Sequence, residues 1–294
     1  MAVIPYDDRD GFIWMDGHFV PWRDAKVHIL THALHYGSAV FEGERAYDGE
    51  IFASRTHTQR LIRSAEIIGF NVPGTVDEIE AAKAEALARS GMDSAYVRAI
   101  AWRGSEMMGI SAQNNTIHLA IAVWHWGDYF SDKMKGIRLT WAKWKRPAPD
   151  TAPFAAKAAG LYMICTDSKH TAEREGFADA MMLDYRGRVA EATGANVFFV
   201  RDGVIETPDP DCFLNGITRQ TVVRLARQKG IEVREVAIWP QDLGQYSECF
   251  ITGSAAEITP VSQIGEFQFK PGALTEGLMH DYSALVRRRL SLAA

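Results

Sequence analysis

Two short apolar runs either side of a polar turn open the chain. Phe12-Ile13-Trp14-Met15 and His18-Phe19-Val20 flank Asp16-Gly17, a pair suited to a tight turn, so residues 12–20 predict a hairpin. Residues 27–47 are dense in aromatic and β-branched types with glycines at 37 and 43, which predicts strands broken at Tyr36-Gly37. The period then lengthens. Leu61, Ala65 and Ile68 recur at helical spacing, so 55–70 predicts an amphipathic helix. A second helix follows at 76–90, with Asp77, Glu78 and Glu80 early, where the helix dipole favours negative charge. Strand periods return at 95–102 and 117–124, joined by the loop GSEMMGISAQNN.

Beyond a polar and aromatic stretch at 126–134, strands are expected at 137–144, 179–184, 195–200, 231–236 and 249–252. Helices are expected at 158–175, 219–229 and 274–289, and a hairpin at 183–189 turns on Arg186-Gly187. This succession predicts an α/β protein: a smaller domain at 1–125, a linker at 126–136 and a larger domain at 137–294.

Composition narrows the function classes. The 47% hydrophobic and 23% charged residues are the mix of an ordinary globular protein. A net charge of −5 without a basic stripe argues against a nucleic-acid partner. Cys165, Cys212 and Cys249 are isolated and odd in number, which points to reduced thiols in a cytoplasm. The start, MAVIPYDDRDGF, lacks the basic region and apolar core of a signal peptide. The apolar run at 117–124 is broken at His118 and too short to cross a bilayer, so no membrane partner is expected. His28, His32 and His35 would suggest a metal face on a helix, but strand periodicity and the lack of further ligands make them structural, with no metal.

Chemistry concentrates in PFAAKAAGLY, where Lys157 sits among small apolar residues. Lysines usually reach for solvent. Apolar surroundings lower an amine's pKa and make it a better nucleophile for a Schiff base. The same stretch also suits a surface lysine lying along an alanine-rich helix.

Seven stretches in order favour the first reading: HALHYGSAVFEGERAY (32–47), HTQRL (57–61), SAYVR (94–98), AAKAAGLY (155–162), EATGANVFFV (191–200), LNGITRQT (214–221) and TGSAAEITPV (252–261). With them the chain resembles the fold-type IV pyridoxal-phosphate aminotransferases, whose two-domain fold is that of D-amino acid aminotransferase, and most closely the branched-chain amino acid aminotransferases. The resemblance runs from Ile13-Trp14 almost to the last helix. It implies that Lys157 carries pyridoxal 5'-phosphate as a Schiff base and later moves the proton at the substrate carbon. It places Glu191 against the pyridine nitrogen and Tyr162 near the ring's 3-oxygen. Arg60, Ser254, Ile217 and Thr218 would hold the phosphate, the last two at a helix start.

The implied substrate pocket comprises Tyr36, Phe41, Tyr96, Arg98, Met108 and Trp126, with a residue matching Ile110 arriving across a dimer interface. The backbone N–H groups of Ser254 and Ala255 would take the substrate carboxylate. Each of these aromatics also suits plain core burial. The implied reaction moves the amino group of leucine, isoleucine or valine to 2-oxoglutarate, giving glutamate and 2-oxo acids, in a homodimer or higher homo-oligomer.

Two positions depart from close relatives. Glu44 stands where an aliphatic residue is frequent, and would reject leucine-like side chains if it faced the pocket. Ala195 replaces a frequent glutamate in a supporting position. The alternatives on the same scaffold are a D-amino-acid or (R)-amine transaminase and an aminodeoxychorismate lyase-like enzyme. The D-amino-acid branch carries Arg and His in the loop that here reads GSEMMGIS, and a lyase must take an aromatic ring with an extra carboxylate. A catalytically dead scaffold protein would not need Lys157, Glu191 and Arg60 together.

Overall fold

A computed structural model describes residues 4–127 and 133–292. The chain forms two compact units, 1–127 with 156–160, and 128–155 with 161–294.

The first unit is built on an antiparallel sheet. Its elements are β1 (Phe12–Met15), β2 (His18–Pro21), the short helix α1 (His32–Tyr36), β3 (Ala39–Phe41), β4 (Glu44–Tyr47), β5 (Glu50–Ile51), α2 (Ser54–Ile67), α3 (Val76–Ser90), β6 (Ala95–Arg103) and β7 (Ile117–His125). Strand order is β2-β1-β7-β6-β4-β5, with β3 also on β6. The predicted hairpin forms, pairing Met15 with His18. Leu61 and Ala65 of α2 and Ile79, Ala82, Ala86 and Leu87 of α3 are buried, the apolar stripes that drive both helices inward. Thr75 and Glu78 form a reciprocal capping box that sets where α3 begins.

One prediction fails in this unit. The strand expected before Tyr36 is replaced by α1, which ends on Gly37 in the left-handed region with its N–H on the Ala33 carbonyl. The aromatic density that suggested a strand serves side-chain contacts instead. His32 and His35 thus stand on a helix rather than a strand, and all three histidines make hydrogen bonds. His32 meets Ser38 Oγ and the Gly109 carbonyl, His35 meets the Ile29 carbonyl, and His28 accepts from Leu30 N–H.

The second unit holds β8 (Ile137–Trp141), α4 (Met163–Arg174), β9 (Asp179–Leu183), β10 (Val189–Ala192), β11 (Asn196–Arg201), β12 (Val204–Pro208), α5 (Ile217–Gln228), β13 (Val233–Val236), β14 (Glu248–Gly253), β15 (Glu257–Ile264), β16 (Phe267–Gln268) and α6 (Ala273–Val286). Its mixed sheet runs β10-β9-β8-β15-β14-β11-β12-β13, and β10 also pairs with β11. Six strands therefore close into a ring. Val197 and Phe199 pack with Cys249, Ile251 and Val261 in one apolar cluster. The alternate residues Phe198 and Phe250 stack at 5.0 Å on the other face.

The hairpin expected at 183–189 forms, with Val189 of β10 opposite Leu183 of β9. Strands β12, β15 and β16 lie outside the sequence-based expectation, and Pro208 and Pro260 explain the first two. Proline removes a ladder donor and argues against a strand, yet β12 ends on Pro208 and β15 shifts register just after Pro260. The helix expected at 158–175 begins only at Met163, after a 3-10 turn at Ala159–Tyr162. Residues 128–132 of the expected linker lie outside the described residues. The 137–294 domain also needs amending, because 156–160 belongs to the first unit. The reason is backbone pairing: Ala158 bridges Val40, and Phe41 N–H donates to the Lys157 carbonyl at 3.1 Å.

Candidate active site

Lys157 occupies non-helical backbone, fixed from two sides. Its N–H donates to Ser64 Oγ on α2 at 3.0 Å, and its carbonyl is held by β3 as above. The side chain is half-buried, with Nζ 5.0 Å from the Phe41 ring centroid. Arg98 Cζ lies 4.6 Å from that same centroid, a distance at which the ring attracts a cation. Arg98 Nη2 donates to the Tyr96 hydroxyl at 3.2 Å. The Tyr96 ring packs against Trp124 at 4.9 Å and Trp126 at 4.6 Å. Tyr96 and Arg98 share a face because they stand two apart on β6. A Cβ at Gly43 would lie 1.9 Å from the Tyr96 hydroxyl, so glycine is what lets the phenol rest there. The first unit thus gathers Lys157, Phe41, Arg98, Tyr96 and Trp126 into one aromatic wall carrying a guanidinium. Trp124, unnoticed in the sequence, backs it.

Tyr36, Met108 and Ile110 form a second group. Tyr36 stacks on His32 at 4.6 Å, and its hydroxyl donates to the Met108 carbonyl at 3.3 Å. Ile110 is exposed.

Arg60 is oriented by a residue that sequence reading passed over. Its Nε and Nη2 donate to Glu42 Oε1 and Oε2 at 2.6 and 2.7 Å, a two-point fork. His57 Nδ1 meets Glu42 Oε2 at 2.6 Å. Burial works to raise the Glu42 pKa, but Arg60 and His57 outweigh it and hold the carboxyl well below the ordinary range. A signal was present: His57 and Arg60 stand three apart on α2, hence on one face. Glu44 faces elsewhere, with Oε2 accepting from Lys83 Nζ at 2.8 Å. Lys83 follows Ile79 and precedes Leu87 at intervals of four, so the helical stripe that buries them buries it too.

The second unit holds the other predicted residues. Glu191 is 6% exposed, and its carboxylate is gripped at both oxygens. Arg146 Nη2 lies 2.7 Å from Oε1, and Asn196 Nδ2 donates to Oε2 at 3.1 Å. Burial opposes the Arg146 charge, but Glu191, Cys165 and Tyr162 together outweigh it and the guanidinium pKa is raised. Burial pushes the Cys165 thiol up, away from the reactive thiolate. Arg146 lies in KRPAP, which carries no periodicity to reveal it. Ile217 and Thr218 begin α5 after an extended Gly216, both buried. Ser254 and Ala255 sit in the turn between β14 and β15. The Thr252 hydroxyl just before that turn is buried and has no hydrogen-bond partner among the described residues. Ala195, the second departure, packs in the apolar cluster of the ring.

Residues 39–264 match the family model for amino-transferase class IV. The chain belongs to that family. Among class IV aminotransferases, it is 40% identical to the branched-chain-amino-acid aminotransferase of Pseudomonas aeruginosa, over 95% of this chain and 94% of that one. The crystal structure of the Escherichia coli branched-chain amino acid aminotransferase superposes with a TM-score of 0.91 at 37% identity, covering 95% of both chains. That of the Thermobaculum terrenum branched-chain amino acid aminotransferase in its PLP form gives 0.86 at 30% identity, over 96% of this chain and 95% of that one. The fold-type IV architecture is therefore the fold of this class IV aminotransferase.

The donor set fits the family's cofactor. A pyridine nitrogen calls for a buried, oriented carboxylate, and Glu191 is one. A phosphate calls for unpaired N–H groups at a helix start, which the 12-residue α5 supplies, and for a hydroxyl such as that orphaned on Thr252.

Proposed function

We propose that this aminotransferase moves the amino group of L-leucine, L-isoleucine or L-valine to 2-oxoglutarate, with pyridoxal 5'-phosphate bound as a Schiff base to Lys157. The observation that carries the substrate reading is the wall of Phe41, Tyr96 and Trp126 with Arg98 laid across it. An aliphatic side chain rests on such a wall. The names of its relatives agree with it.

Pyridoxal phosphate, when bound, supplies an electron sink for the negative charge that develops at the substrate Cα. Every other task falls to the chain. Lys157 Nζ takes the proton from Cα and returns it. Glu191, held by Arg146 and Asn196, keeps the pyridine nitrogen protonated, and Tyr162 donates to the ring's 3-oxygen. Arg60, the first turn of α5 at Ile217 and Thr218, and Ser254 hold the phosphate. The N–H groups of Ser254 and Ala255 bind the substrate carboxylate, Tyr36 and Met108 line the pocket, and a residue matching Ile110 completes it across a dimer interface.

One pocket must take both leucine and glutamate. Apolar walls do not hold a carboxylate without a compensating charge. Arg98, tethered to Tyr96 and cushioned on Phe41, supplies that charge to the distal carboxylate of glutamate and 2-oxoglutarate. Arg98→Ala should slow the glutamate half-reaction roughly 10- to 100-fold, the weight of a hydrogen bond to a charged group, and the leucine half-reaction distinctly less. Cofactor absorbance follows each half-reaction separately, with L-leucine, D-alanine and (R)-phenylethylamine compared on the wild type. Equal losses for leucine and glutamate would remove Arg98 from this role, and a faster wild-type reaction with D-alanine or the amine would overturn the substrate reading.

The exposed apolar side chains of Val27, Ile29, Leu30, Leu34, Tyr36 and Ile110 support assembly as a homodimer or larger homo-oligomer. Ile29 is 72% and Ile110 88% exposed, far more apolar exposure than an isolated chain gains by. The contacts from His32 to Gly109 and Tyr36 to Met108 join the two stretches into one surface. Sedimentation should show a dimer or larger species, and Ile29→Lys with Ile110→Lys should release monomers. A wild type that sediments as a monomer at micromolar concentration refutes this. A cytoplasmic location agrees with three free, buried cysteines, and no helix among the described residues is long and apolar enough to cross a membrane.

A further inference from the structure

The ring of the second unit closes through one registered pair, Glu191 on β10 opposite Asn196 on β11. Asn196 is 5% exposed, and its amide makes three hydrogen bonds. Nδ2 donates to Glu191 Oε2 at 3.1 Å and to the Leu214 carbonyl at 3.0 Å, while Oδ1 accepts from Gly216 N–H at 3.2 Å. The partners dictate which way the amide points. A flip would set oxygen against two acceptors and nitrogen against a donor, losing all three bonds. Leu214 and Gly216 belong to the turn that opens α5.

That turn is held from behind as well. Arg219 is buried and donates to Asn215 Oδ1 and the Pro208 carbonyl, both at 3.1 Å, and pairs with Glu235 at 2.7 Å. Asn196 approaches the turn so closely that a Cβ at Gly216 would lie 2.3 Å from its Oδ1. Gly216 has an ordinary φ of −60°, so glycine is needed there for this approach and not for its conformational freedom.

We infer that Asn196 is a positioning residue that couples two contacts with the cofactor, the Glu191 carboxylate at the pyridine end and the Gly216 turn at the phosphate end. One rigid amide sets the spacing between them, so that seating the phosphate fixes the carboxylate against the ring nitrogen. The inference rests on the proposed roles of Glu191 and of the α5 start. It has a consequence that separate anchors lack. A change confined to the phosphate turn alters the ring nitrogen, and only while Asn196 is present.

The test is a mutant cycle read on pyridoxal phosphate labelled with 15N in the ring. Wild type, Asn196→Ala, Gly216→Ala, the double variant and Glu191→Gln are loaded with it, and the ring 15N shift is recorded. Affinity of each apoprotein for pyridoxal phosphate and a melting curve accompany every sample. Asn196→Ala should move the ring signal towards the unprotonated form and weaken cofactor binding roughly 10- to 100-fold, the range for hydrogen bonds to charged groups. Gly216→Ala should also move the ring signal, although it does not touch Glu191. In the Asn196→Ala background, Gly216→Ala should move it no further, the non-additivity that marks coupled groups.

A Gly216→Ala effect that persists at full size without Asn196, or an unmoved ring signal in Asn196→Ala, overturns the coupling. If Gly216→Ala lowers the melting temperature too far to load, Asn196→Ala decides alone, with Asn196→Gln as the conservative variant that should recover less than wild type because its longer amide cannot keep both spacings. An unmoved signal in Glu191→Gln would instead refute the role of Glu191, an outcome separate from failure of the Asn196 coupling.

Discussion

Lys157→Ala should fold normally, bind pyridoxal phosphate without covalent attachment, and transfer amino groups at least about 10⁴-fold more slowly than wild type. The magnitude is the upper range for a positioned acid–base group, to which loss of the covalent link adds. Folding should survive because the local structure uses the Lys157 backbone, not its side chain. Its N–H lies on Ser64 Oγ, its carbonyl takes Phe41 N–H, and Ala158 bridges Val40. Alanine keeps all three. Borohydride reduction and peptide mapping should place the cofactor of the wild type on Lys157 and find no adduct in the variant. An adduct on another lysine, or a variant retaining more than a few per cent of the rate, would show that the amine lies elsewhere.

The second large effect concerns stability. Lys83 is 0% exposed, and its ammonium meets Glu44 Oε2 and Glu80 Oε1, both at 2.8 Å, and the Ser54 carbonyl at 3.0 Å. Thr58 adds a hydrogen bond to Glu80. Burial pushes the Glu44 pKa up, and His57 and Lys83 pull it only part of the way back. Glu44 Oε1 has no hydrogen-bond partner among the described residues, so this carboxyl depends heavily on Lys83. Lys83→Met should cost about 3–5 kcal/mol, the penalty for leaving one member of a buried pair uncompensated. The double variant Lys83→Met with Glu44→Leu should recover most of that loss, since well-packed apolar groups often replace a buried pair at little net cost.

Urea unfolding of the wild type, Lys83→Met and the double variant measures both numbers. A Lys83→Met loss below about 1 kcal/mol would mean that the pair contributes no more than a surface bridge. The same variants answer the question that Glu44 raises in the sequence. Because its carboxyl turns to Lys83, the double variant should keep the wild-type preference among leucine, isoleucine and valine. A changed preference would return Glu44 to the pocket.

Much of this protein is legible without coordinates, wherever the determining forces are local. The Asp16-Gly17 hairpin, the stripes of α2 and α3 and the start of α5 each follow from a turn chemistry or a period contained within a few residues. The roles proposed for Lys157 and Glu191 rest instead on the order of seven motifs, since the small residues around Lys157 would suit a surface helix equally well. Tertiary structure decided what depends on partners distant in the chain. Packing made a helical turn of 32–36 and drew 156–160 to β3 and α2, against the local preference for a helix. Glu44 found Lys83 39 residues away, and Arg60 found Glu42 18 residues away. A buried charge takes whichever counter-charge the packed elements bring within reach, because the cost of leaving it unpaired exceeds any local preference. No window of sequence contains that choice, and in this chain it is the choice that orients Arg60, Glu44 and Glu191.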